Sequence, residues 1–168
     1  MVEARIHTVG AQSTVRELWR RPKPWDIVLD GVSSGDQRWL RVATELKEGA
    51  DAGQSEGLAT AVSRSIQHNA SGFLRVAFPS FGVAVCQDLT IEGTPQEHAS
   101  FQMNTEKALI AVDDETTRKD RDACWSNYES SCTQGRSLCA CLVPLRVLRV
   151  RRYTSLHFDT FTDVELKR

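Results

Sequence analysis

The chain has 168 residues, of which 40% are hydrophobic, and its 21 Lys and Arg against 22 Asp and Glu give a net charge of −1. This length fits one domain with a sizeable core, and the composition excludes wholesale disorder, which requires low hydrophobicity together with high net charge. The longest uncharged stretch, Val76 to Gln87, contains Pro79 and is too short for a membrane-spanning helix.

The first half of the chain predicts a series of short helices. Residues 1–13 are polar and weakly patterned, so we expect a flexible N-terminal arm there. A short helix from Thr14 ends before Pro22 and Pro24, because proline lacks an N–H and restricts the residue before it. Three amphipathic helices follow, each with apolar residues at helical spacing. Their apolar faces are Trp25, Val28, Leu29 and Val32; then Trp39, Val42, Ala43 and Leu46, after a cap at Asp36; then Leu58, Ala61, Val62 and Ile66.

The second half of the helical region is less regular. We expect the third helix to end near His68 and Asn69, and Ser71 to cap a further helix that ends at Pro79. Phe81, Val83 and Val85 alternate as a strand does, but we favour a helical turn because the neighbouring elements are helices.

The clearest local signal comes next. Thr94 to Glu97 has the sequence of a capping box with proline at the first helical position. An acidic first turn, Asp113 to Glu115, predicts the last helix. Short connections favour antiparallel neighbours, so we expect one all-α domain of stacked helical hairpins over residues 14–130.

Residues 131–168 differ in character and form a basic C-terminal tail. From Val143 to Arg168 there are six basic residues against three acidic ones, which leaves a charge of −4 on the remainder. The segment from Thr154 to Val164 is rich in Thr and Phe, which favour strands. We therefore expect this tail to be irregular or a β-hairpin.

The five cysteines allow two interpretations. Cys86 and Cys124 fall on neighbouring predicted elements among apolar residues, and a bridge between them would close a loop of about 38 residues and stabilise the fold by about 3–4 kcal/mol. The alternative is that all five are free thiols in a reducing compartment. Cys124, Cys132, Cys139 and Cys141 lack a CxxC clamp, so we expect no structural zinc site.

No recognised catalytic pattern is present. His7, His68, His98 and His157 are scattered, and the chain has no phosphate-binding loop, no GxGxxG motif and no GxSxG nucleophile turn. A Cys–His pair such as Cys86 with His98 is one chance combination among many. We therefore predict no catalytic residue, no metal, no cofactor and no enzymatic activity.

Two segments interleave basic and aromatic side chains, a pattern that can contact phosphate or a partner protein. The candidate partner-binding residues are Trp19, Arg20, Arg21 and Trp25 in the first segment, and Arg149, Arg151, Arg152 and Tyr153 in the second. The interpretation that we favour over nucleic-acid binding is that Trp19 and Trp25 pack in the core while their charged neighbours are solvated. The near-neutral charge also disfavours nucleic acid as a partner.

The residues from Gly31 to Ala43, GVSSGDQRWLRVA, and from Asp51 to Glu56, DAGQSE, resemble a pattern of small helical, exported proteins of proteobacteria that have no known activity. The resemblance extends to about Cys124 and is lost after about Trp125. It implies a helical fold, export and a Cys86–Cys124 bridge, and it implies no catalytic residue.

Stacked helical hairpins present a broad surface, which suits protein binding. Our first hypothesis is a small protein-binding or inhibitory module of immunity type, located in the periplasm or secreted. The alternatives are a nucleic-acid-associated regulator that uses the Arg-rich segments and a thiol or redox protein. A cytoplasmic location is the alternative to export.

Overall fold

In the computed structural model, the described residues are 2–90 and 92–133. This part of the chain is all-α and contains no strand, as the sequence predicts. Its helices are α1 (Val2–Val9), α2 (Ala11–Trp19), α3 (Pro22–Ser33), α4 (Gln37–Lys47), α5 (Ala52–Val76), α6 (Phe78–Phe81), α7 (Pro95–Ile110) and α8 (Arg118–Thr133), with 3₁₀ turns at Val83–Val85 and Glu115–Thr117. The irregular or β-hairpin tail predicted for 131–168 lies outside the described residues, except that 131–133 continue α8.

Helix α5 is the centre of the fold, and it packs against α3, α4 and α7. The apolar face predicted for it, Leu58, Ala61, Val62 and Ile66, is fully buried. The faces predicted for α3 and α4 also point into the core, where Val28, Val32, Val42, Ala43 and Leu46 are buried. No helix among the described residues has the length and hydrophobicity needed to cross a membrane.

The helix break predicted near His68 and Asn69 is present inside α5. Asn69 has φ −155° and ψ 70°, so the helix bends there. Its side-chain oxygen accepts a hydrogen bond from the Gly72 N–H at 2.9 Å, and its amide nitrogen donates to the Gly35 carbonyl at 2.8 Å. A new helical segment therefore begins after the bend, as predicted, but the prediction that Ser71 caps it is wrong, because the Asn69 side chain provides the cap.

Two other predicted caps are confirmed. The Asp36 carboxylate accepts hydrogen bonds from the backbone N–H groups of Arg38 and Trp39 at the start of α4. Thr94 and Glu97 form the expected capping box at the start of α7. Each cap satisfies backbone donors that have no partner inside the helix.

The N-terminal residues differ from the prediction of a flexible arm over 1–13. They form α1 and the beginning of α2, joined at Gly10, whose φ of 84° suits glycine. Ile6 is buried, and Gly49 allows close approach, since a Cβ there would lie 2.2 Å from the Gln12 backbone nitrogen. An eight-residue helix with one buried side chain shows too little periodicity to be recognised from sequence, and tertiary contacts stabilise it.

The segment that follows α5 is bonded both to α5 and to α8. The Phe81–Val85 region is helical, as we favoured, with α6 followed by a 3₁₀ turn. Cys86 then pairs with Cys124 of α8, with their Sγ atoms 2.09 Å and their Cα atoms 5.3 Å apart. Ser63 of α5 donates to the Gln87 carbonyl at 2.6 Å. Of the two states that the sequence left open for this pair, the structure has the disulfide.

Candidate functional site

An apolar groove with a volume of about 700 Å³ opens between the first four helices. We call it the α1–α4 groove. Thr14, Val28 and Val42 form its floor and are almost completely buried. Its other apolar lining residues are Val2, Leu18, Pro24, Ile27 and Trp39. The Ile27 side chain is 62% exposed, so apolar surface continues from the groove onto the outside of α3.

Charged side chains of both signs border this groove. Arg5 of α1 donates to Glu17 of α2 at 2.9 Å, and Arg38 of α4 donates to Glu3 of α1 at 2.9 Å. The hydrogen bond from Arg38 holds the pKa of the Glu3 carboxyl below its ordinary value, although desolvation opposes this. The border is therefore charged but nearly neutral overall, and both pairs hold α1 against the body.

One wall of the groove depends on a glycine that leaves room for a neighbouring tryptophan. Gly31 of α3 lies against the indole of Trp39, and a Cβ at this position would be 2.5 Å from the ring. Trp39 can therefore lie against α3, and it lines the groove together with Val28 and Ile27. Sequence periodicity places Trp39 on a core-facing side, and the structure leaves it partly buried.

The first predicted partner-binding segment divides between core and surface. Trp25 is 4% exposed, so its assignment as a direct partner contact is corrected to a core residue. Trp19 is 47% exposed and packs edge-on against Trp25 with ring centroids 5.6 Å apart. Arg20 and Arg21 are exposed at the end of α2. The second segment, Arg149, Arg151, Arg152 and Tyr153, lies outside the described residues.

A second cavity, of about 630 Å³ and polar in its lining, lies where α5 bends and α7 begins. We call it the polar cavity. Arg64, Gln67 and His68 of α5 face Asp88, Thr90, Glu92 and Gly93, and the start of α7 adds Glu97 and His98. Charges of both signs are mixed in this lining, which gives no clear preference for an anion or a cation.

The polar cavity contains one short pair that the sequence analysis missed. His98 Nδ1 lies 2.6 Å from Asp88 Oδ2, and the Asp88 side chain is only 4% exposed. The hydrogen bond to Asp88 raises the pKa of His98, although desolvation opposes this. A short contact between Nδ1 and a buried carboxylate is typical of a histidine that stabilises local structure, and it engages one of the two ring nitrogens.

The cysteines of the disulfide are both fully buried. They therefore expose no thiolate to a substrate, which thiol chemistry requires. Within residues 2–90 and 92–133, no cluster of three His, Cys, Asp or Glu side chains is placed to hold a metal ion. The predicted absence of a metal, a cofactor and a catalytic residue stays a prediction for the chain as a whole.

Comparison with protein-family models, with curated proteins and with solved structures finds no match to this chain. The resemblance to exported proteobacterial proteins therefore stays a prediction. The α1–α4 groove is the candidate site that the structure itself supplies. Sequence reasoning missed it because its lining comes from four separate helices, and exposed Ile27 beside the predicted face of α3 was the one local sign.

Proposed function

We propose that this protein is a small helical module of inhibitory or immunity type, and that its α1–α4 groove binds the apolar face of an amphipathic helix from another protein. The observation that carries the proposal is the combination of a buried apolar floor with ionic pairs along the border. Helices bound in grooves present apolar anchors at positions i, i+3 or i+4, and i+7, flanked by polar residues. The groove is complementary to that pattern in both respects.

The shape of the groove favours a protein over an enclosed small molecule. Its volume of about 700 Å³ lies within the range of about 300–1,000 Å³ for ligand pockets. Ile27, however, extends the apolar surface beyond the floor of the groove. The border of the groove also has fixed charges, from Arg5, Glu17, Arg38 and Glu3. An extended partner covers all of these groups, whereas a small apolar ligand leaves the outer ones in water. Fixed charges near an apolar contact also provide specificity.

The proposed location is the periplasm or the extracellular space. The supporting observation is the buried Cys86–Cys124 disulfide, because disulfides persist in oxidising compartments and are rare in the cytoplasm. Fractionation of the native host followed by alkylation of free thiols tests the location. A fully reduced Cys86 in cytoplasmic material would contradict it.

The binding proposal is tested by site-specific photo-crosslinking in the native host. A crosslinker replaces Ile27 in the groove or, as a matched control, Ile110 of α7, whose side chain is 66% exposed and lies outside the groove lining. We expect one protein to crosslink through its amphipathic helix from position 27 and not from position 110. Purified partner should then bind Ile27→Glu at least about tenfold more weakly, since burying an unpaired charge is unfavourable.

Three results would contradict the proposal. One is the absence of a specific crosslink from position 27, and another is equal loss of affinity in Ile110→Glu. The third is an apolar small molecule that co-purifies with the wild type and is lost from Ile27→Glu. That last result would identify the groove as a ligand pocket instead.

A further inference from the structure

Five consecutive residues at the junction of α2 and α3, Trp19 to Lys23, are all exposed. Three of them are cations, Arg20, Arg21 and Lys23. Arg16 is also exposed, and it lies one helical turn before Arg20 on the same side of α2. We call the five residues and Arg16 the basic corner, which combines an exposed indole with four positive charges.

The cations of the basic corner are not neutralised by their surroundings. In the part of the chain that the structure describes, none of the four forms an ion pair. Arg5 and Arg38 on the border of the groove, by contrast, are both paired with carboxylates. Of the acidic residues nearest in sequence, Glu17 is held by Arg5, and Asp26 is exposed on the next turn of α3. Four cations against the one charge of Asp26 leave this corner strongly positive.

The indole of Trp19 is held in a fixed position although it is 47% exposed. It packs edge-on against buried Trp25 with ring centroids 5.6 Å apart. It also lies over the start of α5, where a Cβ on Gly53 would be 3.7 Å from the ring. An exposed ring that is already oriented loses little conformational entropy on binding. Trp and Arg are also the residue types that most often dominate the binding energy of protein interfaces.

The basic corner is continuous with the α1–α4 groove. Leu18 immediately precedes Trp19 and Pro24 immediately follows Lys23, and both Leu18 and Pro24 line the groove. A chain that leaves the groove past these two residues therefore meets the exposed indole and the four cations.

We propose that the basic corner binds an acidic segment of the partner protein, next in sequence to the amphipathic helix that occupies the groove. Asp or Glu side chains of this segment pair with Arg20, Arg21 and Lys23, and an apolar side chain packs on the exposed part of Trp19. This inference rests on the proposed function. It adds the chemistry of the partner and the direction in which the partner chain leaves the groove.

A short acidic segment fits this corner better than an extended anionic surface does. Residues 1–142 have a net charge of −4, so the positive corner belongs to a body that is acidic overall. A bilayer or a nucleic-acid duplex that reaches the corner also brings its negative charge close to this body, which is unfavourable. A peptide segment confines its charge to the corner, because salt screens exposed charges beyond about 8 Å.

Site-specific photo-crosslinking in the native host tests the inference. A crosslinker replaces Arg20 in the full chain or, as a matched control, Lys119, an exposed cation of α8 outside the groove lining. We expect position 20 to capture the same protein as position 27. Mass spectrometry should map the crosslink to a peptide rich in Asp and Glu that adjoins the helix captured from position 27. Position 119 should not capture this protein.

Purified partner then measures the contribution of the charges. The double variant Arg20→Gln, Arg21→Gln removes two positive charges from the corner. The control Lys107→Gln, Lys119→Gln removes two exposed charges from α7 and α8. At about 50 mM salt the corner variant should bind about fivefold to tenfold more weakly, mainly through slower association, and the control should change by less than about twofold. At about 0.5 M salt all three proteins should bind alike, because salt screens exposed charges.

Failure of this inference differs from failure of the proposed function. A crosslink from position 27 without one from position 20, or a crosslink from position 20 to a segment without clustered Asp and Glu, would overturn the inference and leave the groove. Equal affinities of the two double variants at low salt would do the same. An acidic segment captured from position 20 alone would overturn the groove and keep an acidic partner on the corner. No crosslink from either position would reject both.

Two further probes test the other anionic partners directly. They are vesicles of phosphatidylglycerol and a single-stranded oligonucleotide, and at about 0.15 M salt we expect neither to retain the wild type. Retention of the wild type, but not of Arg20→Gln, Arg21→Gln, would assign the corner to a membrane surface or to nucleic acid and overturn the inference.

Discussion

Gly31 of α3 is covered by the indole of Trp39 from α4, so closely that a single added Cβ would come within 2.5 Å of the ring. The contact fixes the distance between two helices that share the α1–α4 groove. Trp39 can form a groove wall only because position 31 has no side chain.

Gly31→Ala is expected to destabilise the fold. The new methyl group forces Trp39 or α3 to move, at a cost of about 1–3 kcal/mol, which exceeds the gain of about 1 kcal/mol from replacing a helical glycine. Urea unfolding measures the change. Gly57→Ala on α5 is the control, because its Cβ would make ordinary contacts of 3.6 Å or more, and it should stabilise by about 0.5–1 kcal/mol. Equal effects of the two substitutions would contradict the steric argument.

Asn69→Ala is expected to cost about 1–3 kcal/mol, because it leaves the Gly35 carbonyl and the Gly72 N–H without their partner. Asn69→Ser separates the two contacts, since its shorter hydroxyl can still accept from the Gly72 N–H as a helix cap but does not replace the amide that donates to Gly35. Thermal unfolding should place Asn69→Ser between the wild type and Asn69→Ala. The control is Asn104→Ala, which removes an exposed contact to Gln67 at 3.4 Å and should change stability by no more than about 0.5 kcal/mol.

Removal of the disulfide is expected to cost about 2–5 kcal/mol, because the bridge restricts an unfolded chain over a separation of 38 residues. The double variant Cys86→Ala, Cys124→Ala is compared with the wild type in denaturant, with and without a dithiol reductant. The reductant should lower the free energy of unfolding of the wild type to about that of the double variant. It should leave the free energy of unfolding of the double variant unchanged. A wild-type free energy of unfolding that is the same with and without the reductant would contradict the prediction.

The capping box of α7 predicts a dependence on acidic pH. The backbone hydrogen bond from Thr94 is the main cause that lowers the pKa of Glu97. A depressed carboxyl pKa gives stability that is present above the ordinary value of about 4.3 and is lost as pH falls through the folded-state pKa. The difference in melting temperature between the wild type and Glu97→Gln should therefore shrink as the pH is lowered from neutral into that range.

Thr94→Ala should weaken the same helix start by about 0.5–2 kcal/mol at neutral pH.

The matched control for Glu97→Gln is Glu56→Gln, which also removes one carboxylate, at an exposed position on α5. A Glu56→Gln profile identical to that of Glu97→Gln would show that general charge effects explain the pH dependence, not the cap.

The sequence predicts those parts of the fold that depend on local patterns. The faces around Val28, Val42 and Ile66 repeat at helical spacing, and the caps at Asp36 and Thr94 use side chains that bond the next turn of their own helix. Such signals depend on residues within a few positions of each other. They are therefore visible before the tertiary structure is known.

Contacts between distant residues are not predictable in this way. The short α1 is held by Ile6 and by ionic pairs to α2 and α4, and none of these leaves a periodic signal. Trp19 and Trp25 have similar sequence environments, yet one is half exposed and the other is buried. His98 of α7 meets Asp88, which lies ten positions earlier in the chain. The groove and the Asp88–His98 pair belong to this second group, since each combines residues from different elements.

The Cys86–Cys124 bond encloses all of α7 in a covalent ring, together with the connection to α8. A protease that cuts the backbone once between these cysteines therefore leaves both fragments in one molecule. The nicked protein should migrate as one band on a non-reducing gel and as two bands after reduction. In an environment rich in proteases, this ring allows the molecule to survive a cut in its backbone without losing any part of its sequence.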